Sequence, residues 1–343
     1  MTVVVVTHSE HDAAVDAVLD AVRARGERAV RFDGDHYPTR ASLTFELSDD
    51  APAGGAIADD ALDEGGPVAL EDVRAIWLYQ TWAGYRLPAG PYRALGQELA
   101  AAAMQGTLEA SGAFVMDPPG PAERKPVQLR AARAVGLAIP RTMVSNDPAS
   151  VRRFAEVVRA RGGEVVTKSP GTWLKQFEDD GTLTAKAYTS VVTDEALDAL
   201  EGLRLGPMMF QERIPKRREL RVVVVGHDVF AVAIDPSESP DGEVDWRRSH
   251  AHDYTRTPYA LPAEIHARVL ALMDLLGVNY AALDLIVTPE GRHVFLEANP
   301  SCGGFEQLHE AGLPVVDAIA DVLVGRRRRR APARTQLWAP ADT

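Results

Sequence analysis

The most informative stretch of this sequence is LDLIVTPEGRHVFLEANP, at residues 283–300. Two apolar runs flank a Pro-Glu-Gly turn, which predicts a β-hairpin. Alternation along the second strand places Glu297 and Asn299 on one face, and Asp284 can face them across the hairpin. Carboxylate and amide oxygens are ligands that Mg²⁺ prefers, and bound Mg²⁺ often shares its coordination with substrate phosphates. We therefore predict a magnesium site that acts together with a nucleoside triphosphate.

An ordinary exposed hairpin is the alternative interpretation of the same stretch. It is less favoured because Asp284 and Glu297 lie inside runs of Val, Ile, Leu and Phe, where carboxylates without partners are costly to bury.

Length and composition agree with a soluble globular protein of two or three lobes. The chain has 343 residues, of which 46% are hydrophobic and 25% are charged. Its one cysteine, Cys302, cannot form an internal disulfide, and the opening residues resemble a buried strand and not a basic leader. No apolar run is long enough to cross a bilayer, and the net charge of −12 argues against nucleic-acid binding. We expect a cytoplasmic protein without nucleic-acid or membrane partners.

The first 118 residues show an alternation of strands and helices. Strands are predicted at residues 2–7, 29–32 and 75–79, and a helix is predicted from about residue 12 to residue 25. This order favours an α/β fold with a parallel sheet. Residues 49–66 are rich in Ala, Gly, Asp and Pro and predict a mobile loop, whereas a long helix is expected from about residue 92 to residue 110.

The breakers Pro118-Pro119-Gly120-Pro121 predict the end of this first domain. We expect a central lobe at residues 119–210, beginning with a helix over residues 122–135, and a C-terminal lobe at residues 211–325 that contains the hairpin. Residues 326–343 predict a basic, disordered tail that opens with five arginines. Those arginines are solvated in the simplest interpretation, and the alternative is an electrostatic contact with an acidic partner.

Asp284 followed by Glu297-x-Asn299-Pro300 resembles the metal signature of ATP-grasp carboxylate ligases. The segments KPVQL and GLAIPRT, at residues 125–129 and 136–142, resemble the first nucleotide-site motif of the same superfamily. The resemblance implies an ATP-grasp fold of α+β lobes, preceded by a strand-helix-strand pre-ATP-grasp domain, and the use of ATP with Mg²⁺. It also implies that Lys125 contacts phosphate.

Lys168 ends the segment EVVTK, residues 164–168, which predicts a buried strand, and small residues follow it. Their backbone amides can approach phosphates closely, and a lysine at the end of a strand is a suitable point charge for the phosphates of ATP. The alternative is a surface lysine after an edge strand.

The segment MMFQERIPKRRELRVVVVG, at residues 208–226, resembles the ATP-grasp linker. The resemblance assigns nucleotide contacts to Gln211, Glu212, Ile214 and Glu219. The backbone from Glu212 to Ile214 would meet the adenine edge, and Glu219 would accept from the ribose hydroxyls or position Lys168. Arg221 would face the reacting phosphoryl group, for which a planar, forked guanidinium is well suited.

The segment DWRR at residues 245–248, together with KRRELRV at residues 216–222, resembles the graspetide (microviridin-type) maturases. The resemblance extends over nearly the whole chain. It implies that Asp or Glu side chains of a ribosomal precursor peptide, bound through a leader segment, are activated as acyl phosphates and joined to Ser, Thr or Lys side chains. It further implies a homodimer. Arg247 would neutralise reacting oxygens beside Arg221, and Asp245 or Glu306 would remove the proton of the nucleophile.

The chain departs from the pattern of those maturases in two places. Residues 301–306 read SCGGFE where a Gly-Gln-aromatic sequence is usual, and residues 77–80 read WLYQ where a basic Arg-Arg pair is usual. We expect the acceptor or leader contacts to differ accordingly. Gly303-Gly304 permits a tight turn beside the metal site, and we expect Phe305 to form a wall of the acceptor pocket.

Two other functions remain open at this stage. A ligase that joins a small carboxylic acid to an amino acid or amine would keep the same nucleotide residues and change only the acceptor pocket. A binding module without turnover is disfavoured, because Lys168 and the three metal ligands Asp284, Glu297 and Asn299 are all present.

Overall fold

The computed structural model describes residues 1–9, 13–50, 53–59, 66–80, 85–116, 120–170, 189–235, 255–300 and 303–328. The N-terminal region contains β1 (Thr2–Thr7), α1 (Ala13–Arg23), β2 (Arg28–Asp33), β3 (Ala41–Glu46), β4 (Gly54–Asp59), β5 (Val68–Ala69), β6 (Val73–Leu78), α2 (Arg93–Ala110) and β7 (Phe114–Met116). A parallel sheet forms in the order β2-β1-β6-β7, as the alternation of elements predicts. Its helix α1 buries Val15, Val18, Leu19 and Val22, which have helical spacing.

The prediction of a loop over residues 49–66 is wrong in its centre. Residues 54–59 form β4, which pairs with β3 and β5 in a three-stranded antiparallel sheet. The strand reads GGAIAD and has little intrinsic preference for extended structure. Cross-strand pairing and the burial of Ile57 determine its conformation instead.

The central region contains α3 (Lys125–Ala134), β8 (Thr142–Ser145), α4 (Pro148–Arg159), β9 (Val165–Lys168), β10 (Ser190–Val191), α5 (Asp194–Asp198) and β11 (Met208–Glu212). Its four strands form an antiparallel sheet in the order β10-β9-β11-β8. Lys168 ends β9, as the sequence predicts, and Lys125 is the first residue of α3.

The C-terminal region contains β12 (Arg218–Val225), β13 (Asp228–Ile234), β14 (Arg256–Pro258), α6 (Ala263–Leu276), β15 (Tyr280–Val287), β16 (His293–Asn299), α7 (Phe305–Glu310) and α8 (Val315–Leu323). The strands form an antiparallel sheet in the order β14-β13-β12-β15-β16. β15 and β16 are the predicted hairpin. One face of this sheet packs its apolar side chains against α3 and α6.

The opposite face of the same sheet shares a core with the N-terminal sheet. Trp77 lies 5.6 Å from Tyr280 and 5.7 Å from Phe305, measured between ring centroids. α8 packs on α1, and Arg25, in the turn that follows α1, contacts Asp321 of α8 at 2.7 Å. The N-terminal sheet and the C-terminal sheet are therefore joined by one continuous core, and the domain boundary at residue 118 stays a prediction.

The arginine run after α8 is bound to the fold where the structure describes it. Arg328 donates to the carbonyl oxygens of Val322 and Leu323, and its guanidinium lies 4.0 Å from the ring centre of Phe114. Arg327 contacts Asp228 at 2.9 Å. The prediction of a solvated run is thus wrong for Arg328, whereas Arg327 is 49% exposed and remains in contact with solvent. Residues 329–343 lie outside the described residues.

None of the described helices combines the length and the apolar character needed to cross a membrane.

The shared core predicts that one substitution in α8 destabilises both sheets. Ile319 of α8 is fully buried in this shared core. Ile319→Ala should therefore lower the free energy of unfolding by about 2 to 5 kcal/mol. Guanidinium unfolding followed by tryptophan fluorescence and circular dichroism measures this change. Both probes should shift together, and the control Val157→Ala, on the partly exposed side of α4, should shift little. Separate transitions for the two probes would contradict the shared core.

Candidate active site

A row of three charged side chains crosses the C-terminal sheet. Arg221 on β12 is directly opposite Asp284 on β15, and Asp284 is directly opposite Glu297 on β16. Residues opposite one another in antiparallel strands point to the same face. Arg221 Nη1 lies 2.7 Å from Asp284 Oδ1, and both side chains are largely buried. The predicted convergence of Asp284 and Glu297 is therefore present in the structure.

A β-bulge in β16 produces this alignment. Leu285 pairs with Phe295, but Asp284 pairs with Glu297, so Leu296 is an extra residue without a cross-strand counterpart. In a regular hairpin Asp284 would lie opposite Leu296, and Glu297 would point to the other face of the sheet. Asn299 is two residues beyond Glu297, opposite Ala282, and shares the face of the two carboxylates.

Two buried lysines contact Glu297 from the central region. Lys125 Nζ lies 3.0 Å from Glu297 Oε2, and Lys168 Nζ lies 4.0 Å from the same oxygen. Lys125 Nζ also contacts the carbonyl oxygen of Ser169 at 3.5 Å. All three charged groups are buried. The start of α3, the end of β9 and strand β16 therefore meet at Glu297, which brings both predicted phosphate-contacting lysines into one cluster with a predicted metal ligand.

The backbone from Glu212 to Ile214, which is predicted to meet the adenine, borders an apolar patch. This patch lies on the face of the C-terminal sheet that carries the charged row. Ile214 packs with Ile286 and Val294. Ile286 is two residues from Asp284 on β15 and pairs with Val294 on β16, so the patch adjoins the charged row. The backbone amide of Glu212 donates to the carbonyl oxygen of Arg141, and the backbone amide of Arg213 donates to the carbonyl oxygen of Glu164.

Gln211 and Glu219 are both buried and held by neighbouring side chains. Gln211 Nε2 donates to Thr142 Oγ1 at 2.9 Å, which ties β11 to β8. Glu219 forms an ion pair with Lys216. Glu219 lies on the same sheet face as Arg221, two residues earlier on β12, and its contact with the nucleotide stays a prediction.

Gln128 is a residue that sequence reasoning did not assign to the site. It is buried on α3, and its amide binds the edge strand β16 from outside: Oε1 accepts from Ala298 N at 3.0 Å, and Nε2 donates to Ala298 O at 2.5 Å. Nε2 also donates to Ala122 O at 2.7 Å. Because Ala298 separates Glu297 from Asn299, this amide fixes the strand that carries two predicted metal ligands. The sequence feature that could have identified Gln128 is the motif KPVQL, which contains it.

A polar cleft of about 310 Å³ adjoins Arg221. It is lined by Gln80, Arg221, Arg256, Gly303, Gly304, Glu306, Gln307 and Glu310. Arg256 and Arg221 lie on the same sheet face, so two guanidinium groups reach one cleft. The predicted role of Phe305 as a wall of this pocket is wrong, because Phe305 is fully buried in the core with Trp77 and Tyr79.

Two further predicted residues, Asp245 and Arg247, lie outside the described residues. Their catalytic roles stay predictions. Glu306, the other candidate for the proton-accepting group, accepts hydrogen bonds from the Tyr79 hydroxyl and from the Gly304 amide.

Asp33, His36 and Asp59 form a second polar cluster, in the N-terminal region, with ligand atoms close enough to hold a metal. His36 Nδ1 lies 3.2 Å from Asp59 Oδ1, Arg40 lies 3.3 Å from the other ring nitrogen, and Arg31 Nε donates to Asp33 at 2.8 Å. Two guanidinium groups therefore already contact the cluster, and we interpret it as a structural hydrogen-bond network.

The bond between Gln128 and β16 predicts a defined local effect. In Gln128→Leu, the backbone amide and carbonyl of Ala298 lose their partner, and each buried unpaired group costs about 1 to 3 kcal/mol. We expect a lower free energy of unfolding and faster hydrogen exchange at the Ala298 amide. Gln105→Leu, on the exposed side of α2, is the control and should change neither quantity. Unchanged exchange at Ala298 in Gln128→Leu would contradict the assignment.

Comparison with known proteins gives the context of this site. The model of the MvdD pre-ATP grasp domain family matches residues 2–120. Macrocyclase MdnC of Microcystis aeruginosa MRC, solved with precursor peptide MdnA, is 34% identical; the match covers 94% of this chain and 99% of that chain, with a TM-score of 0.80. No curated protein sequence matches the chain.

Two further solved structures are similar over a comparable length. A RiPP-associated ATP-grasp ligase of Chryseobacterium gregarium, in complex with ADP and a leader and core peptide, is 29% identical; the match covers 96% of this chain and 98% of that chain, with a TM-score of 0.83. Macrocyclase MdnB of Microcystis aeruginosa MRC is 29% identical over 94% of this chain and 99% of that chain, with a TM-score of 0.76. With its charged row, flanking lysines and pre-ATP-grasp domain, this chain belongs to the family of ATP-grasp ligases that includes the macrocyclase MdnC.

Proposed function

We propose that this chain uses ATP and Mg²⁺ to activate Asp or Glu side chains of a ribosomal precursor peptide as acyl phosphates. Ester or amide crosslinks then form within the peptide, with release of ADP and phosphate. The observation that carries the proposal is the row Arg221–Asp284–Glu297 with Lys125 and Lys168 beside it. This arrangement combines oxygen ligands for a metal with cations for phosphates in one buried place.

The adenine would bind along the backbone from Glu212 to Ile214, next to the buried apolar patch of Ile214, Ile286 and Val294. The amides of Glu212 and Arg213 are used within the protein, so the next amide, at Ile214, is the suitable donor to an adenine edge nitrogen. The charged row lies next to this patch, two residues away along β15. A nucleotide bound here would therefore extend its phosphates towards Lys125 and Lys168.

The donor set of Asp284, Glu297 and Asn299 fits Mg²⁺, because it offers hard oxygens on one face of the sheet. When bound, the ion would neutralise phosphate oxygens and help to orient them. In the structure each carboxylate is paired with a cation: Asp284 with Arg221 and Glu297 with Lys125. We propose that the same cations would also contact the phosphates.

The first chemical step joins two anions. An oxygen of the substrate carboxylate attacks the γ-phosphorus of ATP, and the bond between that phosphorus and ADP breaks. Arg221, Lys125 and Lys168 would lower the repulsion by binding the oxygens that carry the negative charge. Arg256 shares the cleft with Arg221 and would orient the incoming carboxylate through its forked donors.

The second step forms the crosslink. A hydroxyl or amine of the peptide attacks the acyl carbon, loses a proton, and displaces phosphate. Each bond formed therefore removes one water from the peptide in net balance. Burial of the charged row limits the access of water that would hydrolyse the acyl phosphate.

The related structures support a peptide as the substrate. MdnC was solved with a precursor peptide, and the Chryseobacterium gregarium ligase was solved with ADP and a leader and core peptide. We infer that this chain likewise binds a precursor peptide through a leader segment. We further propose that it works in the cytoplasm, where ATP and newly made peptide are both present.

The decisive experiment uses intact mass spectrometry. A short peptide encoded beside this gene is incubated with the protein, ATP and Mg²⁺, and we expect its mass to fall by one water per bond. Glu297→Gln keeps the size of the side chain but removes a charged ligand, and it should lower ADP release at least about 100-fold.

Glu290→Gln is the matched control, since it makes the same change in the exposed turn of the same hairpin. It should keep full activity. An unchanged peptide, combined with ADP release upon addition of a small carboxylic acid and an amine, would replace this proposal with the small-molecule ligase. Full activity of Glu297→Gln would disprove the metal assignment.

We also propose that the chain forms a homodimer through α2. This helix buries Ala100, Met104 and Leu108 on one side. A second apolar stripe is exposed: Tyr92 is 77%, Leu95 52% and Leu99 62% accessible. The stripe continues at helical spacing with small, exposed residues at positions 102, 103, 106 and 110. In an antiparallel two-fold pair, the bulky half of one helix would lie on the small half of the other.

The dimer proposal predicts a change of mass. Leu99→Glu places a charge in the centre of the stripe and should convert the protein from dimer to monomer, as measured by light scattering. Leu205→Glu is the control, because Leu205 is 96% exposed outside α2 and its substitution should leave the mass unchanged. A monomeric native protein, or a dimeric Leu99→Glu variant, would disprove the interface.

A further inference from the structure

The two segments that depart from the related maturases contact each other in the structure. Tyr79 and Gln80 follow β6 in the N-terminal region, and Gly303 to Glu306 follow β16 and begin α7. The Tyr79 hydroxyl donates to Glu306 Oε1, and Gln80 Nε2 lies 3.5 Å from the same oxygen. The Tyr79 ring packs edge-on against Phe305 at 5.3 Å between centroids. The two departures therefore form one contact between the N-terminal region and the cleft.

The contact continues to Arg221. Glu306 accepts from the Tyr79 hydroxyl with one oxygen and from the Gly304 amide with the other. The carbonyl oxygen of the preceding residue, Gly303, accepts from Arg221 Nη2 at 2.7 Å. A chain of hydrogen bonds thus runs from Tyr79 through Glu306 and the glycine turn to the guanidinium that pairs with Asp284.

The glycine turn packs directly on this guanidinium. Gly304 has φ +139°, in a region that favours glycine, and a Cβ there would lie 2.5 to 2.8 Å from three atoms of the Arg221 guanidinium. The backbone of the turn thus lies against the guanidinium and leaves no space for a side chain, so a shift of the turn towards Arg221 would displace it.

Gln80 shows that the N-terminal side of this contact is also constrained. Among the described residues it is the non-glycine with a positive φ, +52°. Such a backbone costs of order 1 kcal/mol and persists only where the surroundings enforce it. The Gln80 amide lies 3.1 Å from His8 Nε2 and donates to the Tyr79 hydroxyl at 3.1 Å, so it holds the hydroxyl that contacts Glu306.

We propose that Tyr79 and Glu306 are positioning residues that set the orientation of Arg221, so that the N-terminal domain takes part in forming the acyl phosphate. The inference rests on the proposed function for the role of Arg221. It also reassigns Glu306: both of its oxygens accept hydrogen bonds within the protein, and its task is to hold the turn, not to remove the proton of the nucleophile.

The two roles for Glu306 predict different kinetics. If Glu306 positions Arg221, its loss slows attack on the γ-phosphorus, and ADP release and crosslink formation fall in the same proportion. If it removes the nucleophile's proton, the acyl phosphate still forms and is hydrolysed, so that ADP release exceeds crosslinking. The ratio of ADP to crosslink therefore separates the two roles.

The test uses Tyr79→Phe and Glu306→Gln in the full-length protein. Tyr79→Phe removes one oxygen and keeps the ring that packs on Trp77 and Phe305. For both variants we expect kcat for ADP release to fall up to about 100-fold, because a small displacement of a reacting group has effects of that size. The KM for ATP and the ratio of ADP to crosslink should stay within about two-fold of wild type, as expected for a defect confined to the reacting geometry.

Tyr259→Phe is the matched control. Its hydroxyl also has a side-chain partner, His293 Nε2 at 3.0 Å, but it lies outside the proposed chain of contacts, and kcat should be unchanged. A wild-type kcat in Tyr79→Phe would overturn the proposal, as would a rise in the ratio of ADP to crosslink in Glu306→Gln. If the wild-type protein acts on a small acid and amine instead of a peptide, the proposed function fails while the same ratio still tests Glu306.

A second measurement does not depend on turnover. The melting temperatures of Tyr79→Phe, Arg221→Lys and the double variant form a double-mutant cycle. We expect a double variant less destabilised than the sum of the single changes, because the first substitution already frees the turn from Arg221. Additive shifts would overturn the linkage between Tyr79 and Arg221 whatever the substrate is.

Discussion

The extra residue in β16 is the constraint on which the site depends. Without the bulge at Leu296, Glu297 would point into the core that α3 and α6 cover, and Asp284 would face an apolar side chain. With it, two carboxylates meet on one face and require cations, since an unpaired buried charge costs several kcal/mol. Lys125 and Arg221 meet that requirement. One register shift thus determines which charges of the central and C-terminal regions must come together.

The sequence predicts those parts of the site that lie close together in the chain. The hairpin, its turn, and the shared face of Glu297 and Asn299 follow from alternation and turn chemistry, and the structure confirms them. The bulge does not follow, because an extra residue in a strand leaves the apolar pattern nearly unchanged. Contacts between distant segments are equally hidden: nothing in the local pattern around Gln128 indicates that its amide binds Ala298.

The wrong predictions for β4 and for Phe305 have the same physical origin. The strand β4 has a composition typical of loops, and pairing with β3 on one side and β5 on the other determines its structure. The sequence predicts Phe305 in the acceptor pocket because it follows the glycine turn. Its burial with Trp77 and Tyr79 depends on an N-terminal strand more than 200 residues away in sequence. Local pattern identifies a residue as apolar, whereas tertiary packing determines which surface it covers.

The shared core gives the N-terminal domain a direct mechanical link to the chemistry. Trp77 and Tyr79 follow one another on the same face, pack on Phe305, and end where the Tyr79 hydroxyl meets Glu306. Packing in such a core is as dense as in a crystal, so the ring cannot shift without moving the turn that carries Gly303 and Gly304. The N-terminal domain is therefore connected to the Arg221 side of the cleft by packing and by hydrogen bonds, so a change in that domain would reach the guanidinium through this contact.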